Sequence, residues 1–178
     1  MRNPNYDKFP FVQVPGGETS CVQGWDDIAA RLRQSIARRP AKKTVVAVEC
    51  YTGVDEGLIL REIQSRLAPV LTLRAAEAML APEEIDMLVA PFLGGDDPVF
   101  GFLSGLTLPQ FFSDEKLRQF RVQIAGISEG VVLVVGCGAS LLGNRTFSFM
   151  PTSPGGKHNF ASVAMRPAVW ALKTARWL

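Results

Sequence analysis

A three-layer α/β domain with a doubly wound, mostly parallel sheet is predicted by three observations. Short β-branched apolar runs alternate along the chain with stretches of helical spacing. The run Thr44 to Tyr51 (TVVAVECY) lacks apolar/polar alternation, as a strand covered on both faces should. The 178 residues, 47% apolar and 20% charged, are enough for one buried core.

The elements follow in order. Residues 1–24 are rich in Pro, Gly and polar residues, with one short apolar run around Phe9, Phe11 and Val12, and read as an N-terminal arm. Trp25, Ile28, Ala29, Leu32 and Ile36 recur at helical spacing, and Pro40 stops that helix. Thr44 to Tyr51 is the central strand. Leu60, Ile63 and Leu67 form the stripe of a second helix that must end before Pro69, and Val70 to Leu73 returns as a strand, completing a right-handed βαβ unit.

Ala75 to Leu88 is helical in pattern with a break at Pro82, and Ala90 to Gly105 is a long loop. Ser113 caps an acidic first turn, Asp114 and Glu115, leading to Leu117, Phe120, Ile124 and Ile127 on one helical face. Gly130 opens a fully apolar strand, Val131 to Val135. The α/β domain thus spans 25–142. Residues 143–178 lose periodicity and read as an irregular tail.

A net charge of +2 gives no electrostatic basis for nucleic-acid or membrane partners. Cys21, Cys50 and Cys137 are odd in number and far apart, which excludes a disulfide framework and reads as reduced core cysteines. With no leader-like start and no membrane-length apolar run, the expected compartment is the cytoplasm. No cofactor and no metal site are expected.

In open α/β sheets ligands bind beyond the carboxyl ends of the strands, where a glycine turn and a helix N-terminus offer N–H groups to phosphate. That place here reads Glu49, Cys50, Tyr51, Thr52, Gly53, Val54, Asp55, Glu56, Gly57. A working P-loop ends its G-x-x-x-x-G-K-[ST] run in a lysine for the outer phosphates and a hydroxyl for magnesium. Both are missing. Thr52, Gly53, Val54 and Gly57 are the candidate phosphate contacts, yet Asp55 and Glu56 stand where the triphosphate would lie and oppose it by charge. Asp55 as helix cap and Gly53 as turn account for the segment better. Asp96 and Asp97 are the candidate acceptor-activating carboxylates, though acids beside Gly94, Gly95 and Pro98 are ordinary turn formers. Gly136 and Gly138 stand at the cleft edge after the last strand.

Tyr6 to Pro10 (YDKFP), VVAVECYTGVDE, Asp86 to Phe92 (DMLVAPF), Asp97 to Gly101 (DPVFG) and VLVVGCGASL together resemble the N-terminal domain of bacterial class I mannose-6-phosphate isomerase-like proteins, over roughly residues 6–142. The resemblance implies a P-loop, uridine-kinase-like fold preceding a cupin domain, and hence a place in carbohydrate metabolism with a cupin-type isomerase domain or subunit as partner. Isomerase chemistry of that class implies a zinc site of histidine, glutamine and glutamate ligands. This chain holds one histidine, His158 in the Gly- and Pro-rich tail, which reads as a surface residue.

Proteins of that group continue after the last strand with a stretch resembling YADLARWE. Read from the third base of each codon, Met150 permits Tyr, Pro151 Ala, Thr152 Asp, Ser153 Leu, Pro154 Ala, Gly155 Arg, Gly156 Trp and Lys157 Glu, which restores that stretch. A frameshift between Leu142 and Arg145 is the resulting expectation. It implies a truncated sheet that exposes apolar surface and favours self-association. The function expected from the whole is a degenerate nucleotide-kinase-like domain, a non-catalytic binding or regulatory module with a small phosphorylated molecule as its conceivable ligand. The alternative is a phosphoryl-transfer enzyme, nucleoside or sugar kinase-like, with an atypical phosphate loop.

Overall fold

In the computed structural model, residues 21–51, 54–95, 101–142, 147–152 and 162–166 are described. Ten elements follow in chain order: β1 (Cys21–Gln23), α1 (Trp25–Ala37), β2 (Lys43–Glu49), α2 (Glu56–Leu67), β3 (Leu71–Arg74), α3 (Pro82–Val89), α4 (Asp114–Gly126), β4 (Gly130–Gly136), β5 (Phe147–Thr152) and β6 (Ser162–Arg166). The strands form one sheet in the order β1-β6-β5-β2-β4-β3.

β2 and β4 are its centre, parallel and in register from Lys43 opposite Gly130 to Glu49 opposite Gly136. β3 pairs parallel on the outer side of β4, and β5 pairs parallel on the other side of β2. β6 then runs antiparallel to β5, and β1 antiparallel to β6. The fold is therefore α/β, with four parallel strands and a two-strand antiparallel wing.

Three layers explain why the central strands show no alternation. On one face Ile28 and Leu32 of α1 and Ile59 and Ile63 of α2 pack on Val46, Val48, Leu133 and Val135. On the other, Leu117, Phe120 and Ile124 of α4 pack with Val45, Ala47, Val132 and Val134. Both faces are dry, so the side chains between the strand ends are apolar apart from Thr44, which is itself buried.

Local chemistry sets the boundaries. Asp55 caps α2 through its carboxylate, and Ala68 ends it in the left-handed region, φ 45°, with Pro69 next. Ser113 caps α4. Pro82, expected from the sequence as a break, is instead the first residue of α3, where its fixed φ and missing N–H cost nothing. The preceding Ala75–Ala78 is a 3₁₀ turn.

Two expectations change. Cys50 is a buried core thiol, but Cys137 is exposed: Gly136, at φ 129°, turns the chain out of the sheet one residue earlier. Beyond Asn144, where no element could be placed, the backbone adds two strands, and the last residues of the expected arm form β1. Among the described residues no helix is long and apolar enough to cross a membrane.

Beside α4 and above β2 lies a half-open depression of about 500 Å³ lined by Lys43, Val45, Arg121, Ile124, Ala125, Leu141 and Leu142.

Candidate functional site

The carboxyl ends of β2 and β4 lie side by side, so the chain brings two turns together there: Cys50–Asp55 leading into α2, and Gly136–Leu142 after β4. The second turn is shaped by glycine. Gly136 and Gly138 both have positive φ, 129° and 81°, and a Cβ on Gly138 would sit 2.5 Å from Cζ of Phe112. Both positions therefore resist any larger residue. The result is a bend whose successive amide N–H groups face inward, the type of concavity that elsewhere cradles anions.

That concavity is filled by the chain itself. Glu49, the last residue of β2, accepts hydrogen bonds from the Gly138 N–H at 2.5 Å and the Ser140 N–H at 2.9 Å, one on each carboxylate oxygen. Glu56, the first residue of α2, accepts from the Cys137 N–H at 3.3 Å. Three donors thus meet two carboxylates, and hydrogen bonds to ionised acceptors are the strong ones.

The helix N-terminus is occupied in the same way. The Leu58 N–H donates to Asp55 Oδ1 at 2.8 Å, the Glu56 N–H to the Val54 carbonyl at 3.0 Å, and the Val54 N–H to the Tyr51 carbonyl at 3.3 Å. The α2 dipole already has Asp55 and Glu56 as its anions.

The carboxylates also govern the two thiols. Burial, and then the charge of Glu56, pushes the Cys50 thiol up to about 12. The Cys137 thiol is raised as well, by partial burial and then by Glu49 and Glu56. Neither is an activated nucleophile at neutral pH.

Of the residues singled out from sequence, Val54 and Gly57 lie at the start of α2, with Gly57 packed against Asp55: a Cβ there would come within 3.3 Å of Oδ1. Gly136 and Gly138 border the same place from β4. Thr52, Gly53, Asp96, Asp97 and His158 lie outside the described residues. Glu49 was not singled out, although an acid closing the apolar run Val45 to Val48 is the signal that points to it. Among the described residues no cluster of three or more His, Cys, Asp or Glu side chains is arranged to hold a metal ion.

Fold and site together define a three-layer α/β domain whose anion cradle, at the strand ends, is closed by internal carboxylates. The chain belongs to a family described as a domain of unknown function, DUF8485, whose model matches residues 24–149. No curated protein and no solved structure matches it.

Proposed function

We propose that the chain is a degenerate nucleotide-kinase-like domain acting in the cytoplasm as a non-catalytic binding or regulatory module, paired with a cupin-type, sugar-phosphate isomerase-like domain or subunit. One observation carries the non-catalytic part: Glu49 and Glu56 sit on the amides of Cys137, Gly138 and Ser140, where a nucleotide's phosphates would need open donors. A phosphate entering there would have to displace two carboxylates and then lie beside them, and the segment Glu49 to Leu60 carries no lysine or arginine; the Arg61 guanidinium reaches back beside Gly57 and Asp55, within 3.6 Å of where a Gly57 Cβ would lie. The kinase-like ancestry is supported by the order β5-β2-β4-β3, which sets the strand feeding the glycine turn between its parallel neighbours β4 and β5. The partner rests on the sequence resemblance.

That same strand order favours the second reading, phosphoryl transfer through an atypical loop. Calorimetric titration with ATP and magnesium separates the two. The module predicts no binding up to about millimolar nucleotide, whereas a dissociation constant near a micromolar, with amide protection over residues 50–57, would establish the enzyme reading instead.

A further inference from the structure

Between β3 and α4 the chain makes an arch, residues 79–112, that leaves and rejoins the domain at the carboxyl end of the sheet. Its feet are clamped: Met79 bridges Phe112, the Leu80 N–H donates to the Phe111 carbonyl at 3.0 Å, and the Ser113 N–H donates to the Ala78 carbonyl at 2.9 Å. Above the feet nothing is sealed, for none of the described residues of 79–111 is buried. At its crown the Phe102 N–H donates to the Phe92 carbonyl at 2.8 Å, and a Cβ on Gly101 would stand 2.6 Å from that same oxygen. This close approach sets Leu93 beside Phe102 and Leu103, which are 62%, 72% and fully exposed. Such adjacent apolar side chains held in water mark a contact surface.

The charge of the arch has one sign. Between Arg74 and Lys116 the sequence holds no lysine or arginine, and Glu77, Glu83, Glu84 and Asp86 are all exposed. The opposite end of the sheet, roughly 20 Å away along the seven residues of β2, carries the other sign. There Arg38, Arg39 and Lys42 are exposed on the turn from α1 to β2, with Pro40 and Ala41 exposed between them. The Gly130 N–H donates to the Lys42 carbonyl at 2.8 Å, and a Cβ on Gly130 would meet Cγ1 of Val70 at 2.8 Å, so Val70, 58% exposed, adjoins that turn. Glu129, next to Gly130, is the acid that these cations outnumber.

We infer that the arch docks on a second copy of this chain, head to tail: Leu93, Phe102 and Leu103 of one copy seat on Pro40, Ala41 and Val70 of the next, and the acids of α3 face Arg38, Arg39 and Lys42. Charge selects this arrangement. A two-fold pairing of arch on arch sets acids against acids, and a pairing of amino end on amino end sets cations against cations. Only unlike ends attract, and a contact between unlike ends is heterologous, so it continues from copy to copy unless a ring closes. The inference rests on exposure and charge at the two ends of the sheet and is independent of the nucleotide question.

Sedimentation velocity of the full chain tests it. The wild type should grow past the dimer as its concentration rises, and the association constant should fall by roughly tenfold or more between about 50 and about 500 mM NaCl, as the screening length shrinks from about 14 to about 4 Å. Two double variants then separate the ends. Phe102→Ser with Leu103→Ser disables the arch, and Arg38→Gln with Lys42→Glu disables the amino end. All four positions are exposed, so the circular dichroism of each variant should match the wild type. Each variant alone should be monomeric, whereas an equimolar mixture should form a dimer and stop there, because one intact arch meets one intact amino end. A mixture that stays monomeric, a wild type that stops at the dimer, or association indifferent to salt would overturn the inference. So would a wild type that is monomeric at every concentration, which would leave the arch to a cationic partner of another kind.

Discussion

The two faces of the central strands are built from the same kind of residue and finished differently. Toward α1 and α2, Val46, Val48, Leu133 and Val135 meet two helices and are sealed. Toward α4, Val45 and Ile124 are buried too, but they line the wall of a depression beside α4. Apolar patterning within a strand therefore specifies burial on both faces but not what performs it.

The contrast sharpens most with paired truncations. Ile63→Ala, on the sealed face, should cost about 3 kcal/mol, because a closed void remains, whereas Ile124→Ala should cost about 2 kcal/mol, because the void opens onto an existing depression. Urea unfolding of both variants measures the gap, and equal losses would mean that the groove is closed in solution. Next in size is the seam between the faces. Glu49→Ala leaves the Gly138 and Ser140 amides without their acceptor and should lower stability by about 1.5 kcal/mol in the same assay. A neutral effect would show that the cradle is satisfied some other way.

The smallest effect separates the thiols. Since the folded state raises the Cys50 thiol from its ordinary value of 9.0 to about 12, the folded protein holds that proton where the unfolded chain releases it. Stability must then fall as pH rises above the unfolded value, by roughly 1 kcal/mol between pH 9 and 10 from this group. Cys50→Ala should remove that increment, and an unchanged pH slope would contradict the burial of the thiol. Iodoacetamide should reach exposed Cys137 before Cys50, more slowly than a free thiol because Cys137 too is raised, with peptide mapping to assign the sites.

Elements held by local pattern were legible in the sequence. The stripes of Ile28 and Leu32, of Ile63, and of Leu117, Phe120 and Ile124 gave the three longer helices, and the Asp55 and Ser113 caps marked two of their starts. The apolar runs marked β2 and β4. What escaped depends on distant partners. β5, FSFMPT, is flanked by turn-forming Gly143, Asn144, Pro154, Gly155 and Gly156, but Met150-Pro151 breaks its alternation, and pairing with distant β2 and with β6 makes it a strand. Pro82 looked like a break because a residue pattern does not say on which side of a proline the helix lies. At the site, the missing lysine and the obstructing acids were readable, but the role of Glu49 was not, since its acceptors' partners stand 89 and 91 residues away along the chain.

The antiparallel wing bears on how this molecule is made. Cys21 pairs with Ala164, so β1 is synthesised early and has no mate until nearly all the intervening chain has been translated. Long-range closures of this sort are slow, and the central parallel strands, with their helices between them, can assemble without it. A nascent chain therefore carries a three-residue orphan strand through most of its birth, and that brevity guards it against joining a neighbour's sheet on a crowded polysome.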